Sequence, residues 1–217
     1  MAITEFSFPA EAFARVAAFR SSDDSTETLT CVHVRYEKGE TMQTEHIVAI
    51  ALNRYAACRY TTECDGFIIG ALAETDTDGE PEILVNVTPD LVKWAKHKTA
   101  AAVHYDGKRL VVLNRAQQEL FVQPGTAKKN YQPIQSDQFF QKREQCGEAT
   151  ASVGFQASTF RLLMDAFGRD SSFRMRFCEP DKDGTNCAPV FVDVYSGGET
   201  TLLTGYTTIV MPMSFKD

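Results

Sequence analysis

Side chains that commonly carry catalysis or bind metals are scattered along this 217-residue sequence. Cys31 and His33 would share one face of a predicted strand and could begin a zinc site, but no second pair of ligands follows. We therefore interpret Cys31 as a core residue and His33 as a surface residue. The loops that begin at Asp76 and Asp181 lack the spacing of calcium-binding loops and are interpreted as hairpin turns. Glycine-rich phosphate loops and nucleophile elbows are also missing from the sequence, which predicts a protein that is not an enzyme and uses no metal or cofactor.

Basic side chains offer a different chemistry, because many of them fall on the polar faces of predicted helices. Such a face can bind nucleic-acid phosphates, but it is also the ordinary solvent side of a helix packed on a sheet. The net charge is −7, so any affinity for nucleic acid has to be local, and acidic residues gather in predicted loops. The candidate phosphate-binding residues are Arg15, Arg20, Lys93, Lys96, His97, Lys98, Lys142, Arg143 and Arg161.

The elements that would position these side chains recur three times in one order: a strand, a helix and three strands. The pattern is clearest in the last copy, residues 152–213, where Ser158 is the predicted N-cap and Gly168 ends the helix. The predicted buried face of that helix consists of Phe160, Leu163, Met164 and Phe167. Its later strands are predicted at Ser172–Phe177, Pro189–Tyr195 and Leu202–Met213.

The two earlier copies show the same order. In the second copy, Thr88 is the predicted N-cap and Pro89 the first helical residue. We therefore predict an α+β fold of repeated βαβββ units, with the helices on one face of antiparallel sheets. The predicted strands of these copies are Ile3–Phe8, Leu29–Tyr36, His46–Leu52, Ala56–Thr62, Glu82–Val87, Ala101–Tyr105, Leu110–Asn114 and Glu119–Gln123.

Composition and the positions of Pro and Gly suggest how the chain is divided into domains. With 43% apolar residues the chain can bury one large core or two smaller ones, so its six cysteines are interpreted as reduced structural thiols. A polar segment rich in Pro and Gly separates the second and third copies. We predict a first domain at 1–127 with two units, a connector at 128–148, and a reduced second domain at 149–217 with one unit. No membrane span or signal peptide is evident, which favours a soluble cytoplasmic protein.

The unit order, the join Phe121–Gly125 running on to Tyr131–Ile134, and the ending Ile209–Met213 resemble the DNA sliding clamp family, specifically the bacterial β subunit of the replicative polymerase. Residues 6–133 resemble one complete clamp domain, and 149–213 resemble the closing half of the last domain. At Ala49–Ala56 the Thr-Asp-Gly part of the family pattern is absent. Because the chain is shorter than a three-domain β subunit, the resemblance implies a compact clamp of the bacteriophage type, working in the cytoplasm of a bacterial host.

The resemblance implies a DNA sliding clamp, a processivity factor that encircles duplex DNA without sequence preference and tethers a replicative polymerase. A ring in this family has twelve units. Three chains would close it if residues 137–145 form a reduced fourth unit, which is our first expectation, and four chains would close it otherwise. The alternative is a monomeric or dimeric clamp-fold module that binds proteins and does not encircle DNA.

Clamps of this family also bind short peptide motifs of polymerases and clamp loaders in a hydrophobic cleft. Methionines suit such a pocket because they repack around different ligands, yet Met211 and Met213 could equally fill the core. The matching residues are Leu52, Arg54, Tyr55, Ala56, Pro133, Val210, Met211, Pro212 and Met213.

Overall fold

A computed structural model describes residues 3, 5–22, 27–37, 46–53, 55–63, 82–125, 140, 146–147, 155–178, 189–196 and 201–211. Most of the predicted connector and the acidic loops lie outside this part of the chain. So do six of the candidate site residues: Arg54, Pro133, Lys142, Arg143, Pro212 and Met213.

The order of elements confirms the predicted repeats in units 1 and 2, and the helix and three later strands of unit 3, whose predicted first strand at 153–155 lies mostly outside the described residues. Unit 1 contains β1 (Phe6–Pro9), α1 (Ala10–Ala17), a 3-10 turn (Glu27–Thr30), β2 (Cys31–Glu37), β3 (His46–Leu52) and β4 (Ala56–Glu63). Unit 2 contains β5 (Glu82–Asn86), α2 (Pro89–Ala95), β6 (Ala100–Tyr105), β7 (Arg109–Asn114) and β8 (Glu119–Pro124). A short β9 (Cys146–Gly147) precedes unit 3, which contains α3 (Ala157–Phe167), β10 (Ser172–Cys178), β11 (Val190–Tyr195) and β12 (Tyr206–Val210).

Units 1 and 2 exchange their first strands. β1 pairs with β6 of unit 2, and β5 pairs with β2 of unit 1. The two resulting sheets have the strand orders β1-β6-β7-β8 and β5-β2-β3-β4-β12-β11-β10-β9. The exchange is reciprocal, so the two units hold each other in place.

The longer sheet also joins unit 1 to unit 3. β4 and β12 pair antiparallel, from Ala56 opposite Val210 to Tyr60 opposite Tyr206. The division into 1–127, 128–148 and 149–217 stays a prediction, but this hydrogen-bonded sheet passes from the first of those segments to the last.

The helices share the main core on one side of the sheets. α1 is rich in alanine and six of its residues are buried, which lets it sit close between the sheet and the other two helices. Leu91 of α2 and Leu163 of α3 are fully buried in the same core. On the other face of the longer sheet, Phe140 covers a second apolar cluster of Val48, Ile50, Ala57, Phe191 and Ile209.

Two predictions about α3 are wrong. Its N-cap is Gln156 rather than Ser158, and no side chain caps the helix. Leu163 and Phe167 are buried as predicted, but Phe160 is 42% exposed and Met164 is 40% exposed. Helical spacing predicted one continuous buried face, but only two of its four side chains, Leu163 and Phe167, are buried.

The interpretation of His33 as a surface residue is also wrong, whereas Cys31 is buried as expected. The His33 side chain is 1% exposed, and its Nε2 lies 2.8 Å from Glu82 Oε2 on the neighbouring strand β5. The partner comes from the strand that unit 2 contributes to the sheet of unit 1, so local sequence gave no sign of it. β12 also begins later than predicted, at Tyr206, and Leu202 forms only an isolated bridge with Tyr195.

Candidate nucleic-acid interface and partner groove

The ends of the three helices meet around one depression. α1 packs against both α2 and α3, and a cavity of about 460 Å³ lies where they converge. This convergence brings together cations that are far apart in sequence. The charged and polar lining comprises Glu11, Arg15, Lys96, His97, Lys98 and Asp165, and we call this set the helix-junction cluster.

Arg15 is held firmly within the helix-junction cluster, since only 17% of its side chain is exposed. Its guanidinium donates to Glu11 Oε1 at 2.5 Å and to Tyr206 Oη at 3.5 Å. It also lies 5.9 Å from the ring centroid of Phe167 and 5.6 Å from that of Tyr206, within cation–π range. Burial raises the pKa of Tyr206, which keeps its phenol protonated. Arg15 therefore links unit 1 to unit 3 as well as contributing positive charge.

Lys96 and Arg161 meet at Asp165. Lys96 Nζ donates to the Asp165 backbone oxygen at 2.6 Å, and Arg161 Nε lies 3.7 Å from Asp165 Oδ2. Partial burial lowers the pKa of Lys96, while the Asp165 charge acts in the opposite direction and that of Arg15 in the same one. Asp165 therefore contacts Lys96 through its backbone oxygen and Arg161 through its carboxylate, and the Arg161 side chain is 82% exposed.

The other basic side chains of this region face solvent. Lys93 on α2 is exposed, as the helical pattern predicted, and His97 and Lys98 are exposed in the turn after the helix, which ends at Ala95 and does not reach His97 as predicted. His97 Nδ1 lies 2.8 Å from Thr99 Oγ1, and its ring packs beside Trp94 at 5.7 Å between centroids. The positive charges of Lys93 and Lys98 are therefore available to an external anion.

Arg20 lies apart from this cluster. Its Nη1 donates to the Ala17 oxygen at 2.8 Å, and burial lowers the pKa of its guanidinium. It borders a second depression of about 570 Å³, between the segment after α1, the turn from β3 to β4 and the start of α3. We call this depression the partner groove, and it is lined by Ala18, Arg20, Ser21, Ser22, Asn53, Tyr55, Ala56, Ser158, Thr159 and Leu162.

One wall of the partner groove is the turn between β3 and β4. Asn53 Oδ1 accepts hydrogen bonds from the backbone nitrogens of Tyr55 at 2.8 Å and Ala56 at 2.9 Å, which fixes the turn. The Met211 nitrogen donates to the Tyr55 oxygen at 2.6 Å. The end of β12 is therefore tied to this wall, and Tyr55, half of whose surface is exposed, stands over the groove.

The other described residues that were predicted to contact peptides differ in their access to the groove. Ala56 lines the groove although it is 3% exposed, and Val210 is fully buried beside it, so Val210 can act only by supporting the wall. Leu52 packs toward the second apolar cluster on the far face of the sheet. Met211 is partly buried.

Sequence reasoning missed the groove residues contributed by α3. Ser158 and Thr159 belong to its first turn and Leu162 to its middle, and only the pairing of β4 with β12 carries them to Tyr55. Asn53 carried a usable signal, because Asn commonly bonds to the backbone two or three residues ahead in a turn. Within the part of the chain that is described, no group of three or more His, Cys, Asp or Glu side chains could hold a metal ion.

Exchanged βαβββ units whose sheets join edge to edge, with basic helices on one face, define the DNA-clamp class of fold. Solved structures of bacterial sliding clamps have this fold. The β subunit of DNA polymerase from Streptococcus pyogenes aligns with 96% of this chain and 65% of its own, at 9% identity and a TM-score of 0.53. The Bartonella birtlesii clamp bound to griselimycin aligns with 99% of this chain and 67% of its own, at 10% identity and a TM-score of 0.55.

The Helicobacter pylori β clamp bound to a DNA ligase peptide is similar in the same way, covering 99% of this chain and 66% of its own at 12% identity, with a TM-score of 0.55. The chain therefore spans about two thirds of the length of these clamps. No protein-family model matches the sequence, and no curated protein matches it. The chain has the bacterial sliding-clamp fold, and the likeness concerns the fold.

Proposed function

We propose that this protein is a DNA sliding clamp, a processivity factor that closes as a homo-oligomeric ring around duplex DNA and tethers a polymerase. The observation that carries the proposal is the helix-junction cluster, where Arg15 of α1 meets Lys96 and Lys98, which follow α2, beside the end of α3 and on one side of the sheets of a clamp fold. With a net charge of −7, such local concentration is what lets an acidic protein attract DNA on one face.

The expected contacts are to phosphates, because sliding requires indifference to base sequence. Lys93, Lys98 and Arg161 are the most available cations, since the first two are exposed to solvent and the third keeps most of its surface exposed. Each phosphate that they neutralise would steepen the salt dependence of binding by about −0.9 in log–log slope. The role would place the protein with the replication machinery in the bacterial cytoplasm, and its bacteriophage type stays a prediction.

Charge reversal tests the proposed DNA-facing surface. K93E/K96E/R161E should abolish stimulation of a polymerase on primed circular DNA, because it inverts the charge around the helix junction. The matched control is K108E/R115E/R174E, which reverses three exposed cations outside the helices. Equal stimulation by both variants would contradict the assignment of Lys93, Lys96 and Arg161 to the DNA-facing surface, provided that both variants keep the oligomeric mass of the wild type.

We also infer that the partner groove receives short peptide segments of polymerases and other partners. Support comes from the exposed ring of Tyr55, the adjacent apolar Leu162, and the hydrogen-bonded attachment of the β12 end. An aromatic anchor of this kind commonly carries much of the energy of a peptide interface.

Truncation of the Tyr55 side chain tests whether the partner groove binds peptides. Y55A should weaken binding of the ligase peptide used with the H. pylori clamp by about tenfold, the effect of losing roughly 1.4 kcal/mol of contact energy. L202A removes a comparably exposed apolar side chain elsewhere and should leave binding unchanged. Fluorescence anisotropy of the labelled peptide measures both, and unchanged affinity of Y55A would contradict the groove assignment.

The competing function is a clamp-fold module that binds proteins without encircling DNA. One observation favours it, since Glu11 pairs with Arg15 and Asp165 with Arg161, which offsets part of the positive charge. The two functions predict different masses in solution. A closed ring of several chains supports the clamp, whereas a monomer at micromolar concentration that fails to bind DNA supports the module.

A further inference from the structure

The single tryptophan of the chain, Trp94, belongs to an aromatic group between α2 and β8. Its ring stacks on that of Phe121, with 6.4 Å between centroids and 18° between planes. The His97 ring lies 5.7 Å away and is tilted by 48°. We call these three side chains the Trp94 platform. Two neighbouring rings hold the indole in place, yet 37% of the tryptophan stays exposed to solvent.

Exposed cations flank the Trp94 platform. Lys93 precedes Trp94 on α2, Lys98 follows in the turn after the helix, and both side chains are exposed. His97 and Lys98 also line the helix-junction cluster, so the platform adjoins that cluster. Asp90 is exposed in the first turn of α2. Positive charge is therefore concentrated at the end of α2 and beyond it, on the side of the cluster.

His97 adds a hydrogen-bond donor to the platform. Its Nδ1 accepts from the Thr99 nitrogen at 3.4 Å and lies 2.8 Å from Thr99 Oγ1. A ring nitrogen that accepts a hydrogen bond carries no proton, so the proton of the neutral imidazole is assigned to Nε2. An Nε2–H beside the indole can donate to a carbonyl oxygen of a base or to a phosphate oxygen.

Phe160 shows that exposure alone does not build such a platform. It is 42% exposed on α3, but its neighbour Phe155 packs edge-on, with an angle of 80° between the rings. The adjacent cation, Arg161, lies 3.7 Å from the carboxylate of Asp165. Trp94, by contrast, has a nearly parallel partner ring and exposed lysines on both sides.

We propose that the Trp94 platform binds an unpaired base of single-stranded DNA, with Lys93 and Lys98 contacting the adjoining phosphates. Aromatic side chains that stack on bases, together with cations that follow the backbone, are the components of sequence-tolerant single-strand binding. The inference deepens the proposed clamp function and rests on it. A template strand becomes single-stranded where the duplex ends, and the helix-junction cluster, which is proposed to hold the duplex, adjoins the platform.

Fluorescence of the wild-type full chain tests the proposal, because emission from its one tryptophan reports on this site alone. A thymidine oligonucleotide of about 16 nucleotides should quench the emission, since a stacked base quenches indole. An abasic oligonucleotide of the same length carries the same phosphates and should leave the emission unchanged. Equal quenching by both oligonucleotides, or by neither, would overturn the proposal. So would an emission change that follows protein concentration alone, because a second copy would then cover Trp94.

Substitutions separate base stacking from packing within the protein. W94L keeps an apolar side chain over Phe121 without an aromatic face, and should raise the Kd for the thymidine oligonucleotide about tenfold. W94F keeps a ring and should raise the Kd by no more than about threefold. F160L removes the exposed ring of α3 and should keep the wild-type Kd. Anisotropy of the labelled oligonucleotide measures all four proteins, and a wild-type Kd for W94L would overturn the proposal.

The lysines are tested by salt dependence. K93A/K98A should make the log–log salt dependence of single-strand binding shallower by about 0.7 for each lost phosphate contact. K108A/R174A removes two exposed cations elsewhere and should keep the wild-type slope. Equal slopes for the two variants would overturn the phosphate contacts.

The wild-type emission test needs no substitution, so it stays decisive if W94L fails to fold. It also separates this inference from the clamp function. Wild-type protein that is retained on circular duplex, but whose emission ignores the thymidine oligonucleotide, would refute the platform and leave the clamp function standing. Quenching without retention would support base binding by the platform and contradict encirclement.

Discussion

At the scale of single residues, two carboxylates lie beside the cations of the helix junction and pair with them. Glu11 is 73% exposed yet bonds to the largely buried Arg15, and Asp165 is 65% exposed beside Arg161. Exposed ion pairs at helical spacing contribute only a few tenths of a kcal/mol to stability. Their larger effect should be on DNA, because each one competes with a phosphate for the same cation.

Removing the two carboxylate charges should therefore strengthen DNA binding. We expect E11Q/D165N to bind nonspecific duplex more tightly at low salt, and to steepen the log–log salt dependence by about −0.9 for each cation released. E119Q removes an exposed charge from β8 and should not change the slope. Binding isotherms at several salt concentrations measure this, and an unchanged slope for E11Q/D165N would show that these carboxylates do not compete with DNA.

Sequence reasoning predicted the exposed cations and failed on those that another unit covers. Lys93 is exposed because the helical period alone decides which side of α2 faces the core, whereas His97 and Lys98 are exposed in the turn after the helix. Arg15 was assigned by the same rule, yet its guanidinium packs against Phe167 and Tyr206 of unit 3 and its side chain is largely buried. Those contacts depend on pairing between strands distant in sequence, which no local pattern contains.

At the scale of elements, α2 depends on a cap that also ties it to β8. The Leu91 nitrogen donates to Thr88 Oγ1 at 3.2 Å, and Thr88 Oγ1 donates to Gln123 Oε1 at 2.5 Å. Gln123 is buried, and its Nε2 donates to the Asn86 oxygen at 2.8 Å. A single hydroxyl thus closes a network that positions the start of the basic helix.

Loss of that hydroxyl should destabilise the protein measurably. T88A should lower the free energy of unfolding by about 1–2 kcal/mol, because it removes the cap and leaves the Gln123 oxygen with one fewer donor. T88S keeps the hydroxyl and should lose less than half as much. Urea unfolding followed by circular dichroism compares the two, and equal losses would indicate that methyl packing rather than capping is responsible.

The elements themselves were largely predictable, whereas their partners were not. Thr88 and Pro89 marked the start of α2 correctly, because capping and the fixed backbone angle of proline act locally. The exchange of β1 and β5 between units was not predicted, because either edge of a strand offers the same hydrogen-bonding groups. Misassignment of Phe160 and Met164 has a related cause, since helical spacing identifies an apolar face without showing whether a neighbour covers it.

At the scale of the whole molecule, the joined sheets position both the helix-junction cluster and the partner groove. The helices lie on one side of the joined sheets, and Arg15, Lys96 and Lys98 meet there in the helix-junction cluster. The partner groove lies at the junction of units 1 and 3, so the proposed partner binding should depend on the same β4–β12 pairing that connects the units.

Retention on circular DNA tests the central claim most directly. The protein is assembled by raising its concentration in the presence of a nicked circular duplex. The complex is then washed in high salt, and the DNA is cut once with a restriction enzyme. The ring account predicts that protein stays on the intact circle and leaves after the cut, because topology rather than affinity holds it. Loss during the high-salt wash, or equal retention on circular and linear DNA, would contradict encirclement.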